Sequence, residues 1–266
     1  MGYAGGTVLT WGVVERCMTA QVTTHGRVRV EESAKRVRAY LDGVLVADTT
    51  RPRLVWESPY YPTYYLPVAD VRTELLQLEP ERKHSPSRGD AQVYSLAVNG
   101  RTVPGAALRY PESPIEELQD LIRFEWKALD SWFEEDEEVF VHPRDPYTRV
   151  DILPSSRHVR VDVDGVTVAE STSPRLLFET NLPTRYYLPK PHVRLDLLTP
   201  TDTATHCPYK GEAEYWSVNG HADLAWSYPT PLPESEGVAG LICFYNEKVD
   251  IYVDGVLQER PKNKFS

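Results

Sequence analysis

The sequence predicts an all-β protein built as two tandem antiparallel domains. An internal repeat carries that reading first. Residues 36–67 align without gaps on residues 158–189, an offset of 122, with 16 of 32 positions identical. Asp-Gly turns flanked by valine-rich alternation come second, and they recur at Asp42-Gly43, Asp164-Gly165 and Asp254-Gly255. Third, 22 prolines and 15 glycines punctuate the chain, and runs with helical periodicity are few. A period near 120 residues means two domains rather than a solenoid.

Element by element, residues 1–24 read as disordered or as a mis-assigned start, with Met18 as the natural first residue in place of Met1; a rival reading makes residues 7–14 an extra edge strand. No basic n-region precedes this stretch, so it is not a secretory signal. Residues 25–133 form the first domain. Within it, residues 36–47 read as a hairpin, 64–67 as a short aromatic strand ended by proline, 71–78 as a strand, and 94–98 as a strand entering the Asn99-Gly100 turn. Residues 118–132 are the best helical candidate, although their counterpart, 241–253, reads as strand. The run Glu134-Glu135-Asp136-Glu137-Glu138 reads as solvated, and with the prolines at 143 and 146 it forms an acidic, stiff linker over residues 134–146. Residues 147–260 are the second domain, with the same elements at 158–169, 186–189, 193–198 and 215–218 and a third hairpin at 249–257; residues 261–266 are a tail.

Composition narrows the function classes. The formal charge of −10 argues against a nucleic-acid backbone as ligand, because phosphate binding needs clustered Lys and Arg. No stretch has the ~18 apolar residues of a membrane helix. Cys17, Cys207 and Cys243 are an odd set without a C-x-x-C pair, which disfavours both a disulfide framework and a zinc site and suits a reducing cytoplasm. No histidine spacing suggests a metal site, and no cofactor can be named.

The most chemically loaded stretch is His206-Cys207-Pro208-Tyr209-Lys210-Gly211. A nearby cation lowers a thiol pKa, and a turn through Pro208 and Gly211 would bring Lys210 towards Cys207, so these two are the candidate catalytic residues. His206 is a candidate base, although neighbours on a strand face opposite ways. Glu179 follows an apolar run and needs a cationic partner, for which Lys210 or Arg160 is the natural choice. The first unit has the corresponding triple Arg38, Glu57 and Arg88, so an ion network holding the sheet is the plain alternative. It also replaces Cys207 by Ser85, Tyr209 by Ser87 and Lys210 by Arg88. With Tyr187, Tyr209 and Trp216 as aromatic walls, the sequence predicts a small-ligand site in the second unit formed by Arg160, Glu179, Tyr187, His206, Tyr209, Lys210 and Trp216. Core packing is the alternative reading of these aromatics, and Cys243 reads as core.

In Glu179, Tyr186-Tyr187-Leu188-Pro189, Cys207-Pro208-Tyr209-Lys210-Gly211, Tyr215-Trp216-Ser217-Val218, Ala225-Trp226-Ser227-Tyr228-Pro229 and Phe244-Tyr245-Asn246-Glu247, the chain resembles the DUF427 domain family in a tandem form, over residues 28–260. The resemblance implies a compact, mostly antiparallel β domain similar to the Mss4-like or β-tent folds. Zinc held by paired C-x-x-C motifs in some relatives of that fold is not implied here, because the motifs are missing. The family is sometimes labelled nucleotidyltransferase-like, which would require metal-binding carboxylates; Asp162 and Asp164 have the i, i+2 spacing, but Asp164 opens a turn and Asp162 is expected to face solvent. A third possibility is a non-catalytic interaction or scaffold module presenting exposed Trp126 or Trp132.

Overall fold

The computed structural model describes residues 23–25 and 27–262, and the readings of residues 1–22 and 263–266 lie outside them. Two sheet pairs form two tandem domains. In the first, an antiparallel eight-stranded sheet runs in the order Thr23–His25, Val28–Glu32, Arg53–Trp56, Thr63–Pro67, Leu121–Phe124, Arg101–Arg109, Gly89–Val98, Leu76–Ser85. Against it packs a four-stranded sheet ordered Glu137–Val139, Ser131–Glu134, Val37–Leu41, Val44–Thr49. The second unit repeats this with a seven-stranded sheet (Val150–Pro154, Arg175–Glu179, Arg185–Leu188, Ile242–Phe244, His221–Ser227, Gly211–Val218, Leu198–Cys207) and a four-stranded one (Val166–Ser171, Val159–Val163, Asp250–Val253, Val256–Leu257).

The central strands of each large sheet are buried on both faces, which explains the consecutive aromatics there. Alternation sends Tyr64, Leu54 and Leu66 to the core between the two sheets, and Tyr65 and Val55 to a second core on the outer face. Leu176 and Leu177 in the second unit are buried on the same pattern, Leu177 lying with Tyr187 in its outer core. Short 3₁₀ segments at Glu116–Leu118 and Pro233–Val238 cover those outer faces through Leu118 and Val238. The Asp-Gly turns have both residues at positive φ, +50° and +72° at Asp42-Gly43 and +51° and +76° at Asp164-Gly165, the geometry of a two-residue hairpin.

Three sequence expectations change. No α-helix occurs among the described residues: 118–132 breaks into strand Leu121–Phe124, a 3₁₀ turn and strand Ser131–Glu134, because backbone pairing on both sides of Ile122 and Trp132 outweighs local propensity. Residues 71–78 and 193–198 are not continuous strands either; each starts on an isolated bridge (Val71, Val193) and turns through a 3₁₀ segment. The acidic run is not wholly solvated. Glu134 is buried, accepting hydrogen bonds from Tyr64 and from Lys35 at 2.6 Å, and Glu137–Val139 is a strand that pairs back on Ser131–Glu134. No helix of the described residues is long and apolar enough to cross a membrane.

Candidate functional site

Both units place one carboxylate at the end of an inner strand of the large sheet, where the outer core has to satisfy it. In the first unit Glu57 accepts hydrogen bonds from Tyr65 at 2.6 Å and Arg123 at 2.8 Å, and it pairs with Arg88 at 2.5 Å. Arg88 also donates from Nη1 to the Tyr65 hydroxyl at 3.0 Å and lies over the Tyr110 ring. Arg123 reaches on to Glu125, while its Nε is buried without a partner. Burial and the adjacent Glu57 push the Tyr65 hydroxyl well above its ordinary range, so it stays a neutral donor.

In the second unit the Lys210 ammonium donates to Glu179 at 2.6 Å, both side chains being about nine-tenths buried at 10% and 9% exposure. Cys207 lies near enough to influence the Lys210 ammonium electrostatically. Burial, the largest single influence on Lys210, lowers its pKa, but Cys207 and Glu179 outweigh it and hold the ammonium above its usual value. Gly211 closes the turn at φ +93°, a left-handed conformation that L side chains rarely adopt. Register makes Cys243 the counterpart of Arg123: Cys243 pairs with Tyr187 as Arg123 pairs with Tyr65. The second unit therefore has one cation fewer at this point. Cys243 is fully buried, as its apolar strand implies, and burial pushes its thiol up to about 12. Accordingly, Cys243 should resist alkylation at neutral pH in the native protein and react only on unfolding; ready labelling of the folded chain at Cys243 would contradict this burial.

The structure brings Cys207, Lys210, Glu179 and Tyr187 to one side of the large sheet, with Tyr215, Trp226 and Tyr228 around them. Tyr187 is fully buried and accepts the Trp226 indole N–H at 3.1 Å. Four of the residues expected beside Cys207 lie elsewhere. Arg160 is on the small sheet, paired with Asp162 at 3.2 Å and stacked over Tyr252, so the triple with Glu179 and Lys210 does not form. Arg38 likewise pairs with Asp136 rather than Glu57. His206 is exposed and stacks on Phe140, because strand alternation turns it away from Cys207. Trp216 packs against the opposite core for the same reason. Tyr209 is half-buried and makes its contacts with residues 142–148.

Other expectations are also corrected. Asp162 does not face solvent; its side chain is 13% exposed and bonds Thr167 and Arg160, whereas Asp164 bonds His221, so the two carboxylates serve separate partners. Among the described residues no cluster of three His, Cys, Asp or Glu side chains is arranged to hold a metal ion. Trp132 is buried and stacks on half-buried Trp126 at 5.1 Å, so the pair is not the exposed aromatic surface of a docking module.

A cavity of about 400 Å³ lies in the first unit, lined by Glu57, Ser58, residues 61–64, Arg88, residues 123–126, Trp132 and residues 141–143. Its polar floor is the Glu57, Arg88 and Arg123 cluster. Its walls are two stacked pairs, Trp126 on Trp132 and Tyr61 on His142, the latter at 4.1 Å and nearly parallel. The equivalent place in the second unit holds only about 150 Å³, lined by Pro183, Thr184, Tyr186, Asn246 and Ile251 among others. Asn246 and Ile251 stand where the first unit has Trp126 and Trp132, and Asn246 donates to the Thr184 carbonyl at 2.8 Å. Cys207, Lys210 and Glu179 line neither cavity. Sequence reasoning missed Arg123, Tyr61 and His142; the available signal was the Arg123-to-Cys243 difference between aligned repeats.

Comparison with known proteins agrees with the repeat. A search of the curated proteins finds no match. The model of one family, described as Domain of unknown function (DUF427), matches twice, at residues 29–135 and 151–255. Since the two matches cover most of the chain and fall on the two sheet pairs, the chain belongs to the DUF427 family, as a tandem two-domain member.

Proposed function

We propose that the protein binds a small molecule in the cavity of its first unit. The observation that carries this reading is the cavity itself: about 400 Å³, aromatic on two sides and polar at its floor, within the usual size and character of ligand sites. The stacked walls suit a planar ring system. The floor combines two guanidiniums, Arg88 and Arg123, with two carboxylates, Glu57 and Glu125. Their charges cancel, so a strongly charged ligand would lose hydration without a net Coulomb gain. A neutral or zwitterionic heterocycle with donors and acceptors on its edge is the chemistry that fits. The free cysteines suit a reducing compartment such as the cytoplasm.

The test is a thermal-shift and calorimetric screen of neutral planar heterocycles against their charged analogues. A hit should bind at least about tenfold more weakly to Trp126→Ala, as expected for an aromatic wall. A panel without any hit, or a hit indifferent to Trp126→Ala, would sink the idea.

A second reading places thiol or lysine chemistry at Cys207, supported by its place beside Lys210 on one side of the large sheet, where the two groups interact electrostatically. Alkylation rates against pH, in a chain with Cys17 and Cys243 changed to serine, address it. Comparing Lys210 with Lys210→Arg, the residue type of the first unit, keeps the buried charge. An apparent pKa well below the free value of ~8.5 supports an activated thiolate. A Cys207 that stays inert until unfolding removes this reading.

A further inference from the structure

The turn at residues 206–211 differs from its first-unit counterpart most in bulk at Tyr209, where the first unit has Ser87. Tyr209 touches the segment that joins the units. Its hydroxyl accepts the Asp145 backbone N–H at 2.8 Å and bonds the Thr148 side chain, and its ring meets His142 edge-on. Next to it Arg144 donates from Nε to the Pro208 carbonyl at 2.9 Å, and Phe140 stacks on His206 at 4.6 Å. From the other side Trp56 donates its indole N–H to Asp145 at 2.8 Å, and Tyr147 donates to Glu31 at 2.8 Å.

This same joining segment is a wall of the first-unit cavity, which it lines with Val141, His142 and Pro143. Val141 has φ +72°, a left-handed conformation that a β-branched residue adopts only under constraint. Such strain persists where neighbouring contacts over-determine the backbone, and it concentrates at ligand clamps and switches. Here the constraining contacts lie on either side of Val141, at Phe140 and at residues 142–145, and most of them come from the second unit.

We propose that residues 140–145 form a strap over the first-unit cavity, and that the Tyr209 turn of the second unit latches it closed. The second unit thereby controls access to the ligand site of the first. Tyr209 is a positioning residue in this scheme, acting on the site through the strap. The inference rests on the cavity being the binding site.

The experiment is hydroxyl-radical footprinting of the full chain read by mass spectrometry, on the native protein, Tyr209→Phe and Arg144→Gln. Tyr209→Phe removes the hydroxyl's bonds to Asp145 and Thr148, and Arg144→Gln removes the bond to the Pro208 carbonyl together with the Glu137 ion pair; both leave the ring packing of the turn in place. Oxidation of Trp126 and of buried Trp132 is expected to rise about fivefold, on the scale of one lost hydrogen bond, while Trp226 in the second-unit core stays unchanged. Unchanged labelling of Trp126 and Trp132 in both variants overturns the strap. In parallel, N-phenyl-1-naphthylamine, a neutral aromatic fluorescent probe, is titrated into each protein. Its affinity should fall by a similar factor of about five in the variants. A native chain that takes up no probe counts against the cavity as a binding site, and footprinting still decides the strap by itself.

Discussion

Glu57→Ala is expected to destabilise the first unit by about 3–5 kcal/mol, the usual consequence of removing one member of a buried ionic cluster. Arg88 and Arg123 are 15% and 12% exposed; Arg88 depends on Glu57 for its charge partner, and Arg123 shares its charge between Glu57 and Glu125. Without it Arg88 is left buried beside the Tyr65 hydroxyl with no anion, and Arg123 keeps only Glu125. Tyr65 also loses its acceptor while fully buried. The check is urea denaturation followed by a first-unit signal such as Trp132, with Glu57→Gln as the control that retains an acceptor. A loss below about 1 kcal/mol for the alanine variant would mean that the cluster is open to water and behaves as a surface pair. The same change should remove the polar floor of the cavity and with it any ligand found by screening.

Lys210→Ala is expected to cost the second unit a similar amount, about 3–5 kcal/mol, because Glu179 would be left buried and unpaired. The double variant Lys210→Met, Glu179→Leu should recover most of that loss, since it removes both charges together. A double variant as unstable as the single one would show that the residues act through shape and not through their pairing. The pH dependence follows from the direction of the Lys210 shift. Its folded pKa lies above the ordinary 10.5, so the pair's contribution is fully present below 10.5 and is lost as pH rises through the higher folded value. On the alkaline side, the stability difference between native protein and double variant should therefore hold from neutral pH upward and shrink under strongly alkaline conditions.

The ion pair and the cavity show how far residue patterns reach. Glu179 follows Leu176-Leu177-Phe178, so a need for a cation was readable, and Lys210 was one of two candidates. Choosing between Lys210 and Arg160 required the topology: Arg160 stands on the small sheet, and Glu179 ends a strand of the large one. Strand alternation separated Cys207 from His206 in principle, and the structure follows it. The helical reading of residues 118–132 failed for a different reason. Two strands of different sheets lie in one short stretch, and a local pattern does not reveal that its halves pair with Thr63–Pro67 and Val37–Leu41. Glu134 was misread in the same way, because a charge run has no local mark for the one member that meets Tyr64 and Lys35.

What the sequence by itself determined is the duplication, the all-β class and the Asp-Gly hairpins, since each depends on near-neighbour geometry: turn φ angles, two-residue alternation and repeat register. Only the tertiary structure decided that the larger cavity lies in the first unit, that Trp126 and Trp132 are its wall, and that the second unit's Tyr209 meets the strap. Those depend on which strands become neighbours across tens of residues. The aligned repeats are nearly the same locally; replacing Trp126 and Trp132 by Asn246 and Ile251 changes the space enclosed between two sheets, a quantity that belongs to the packed arrangement and to no single segment of chain.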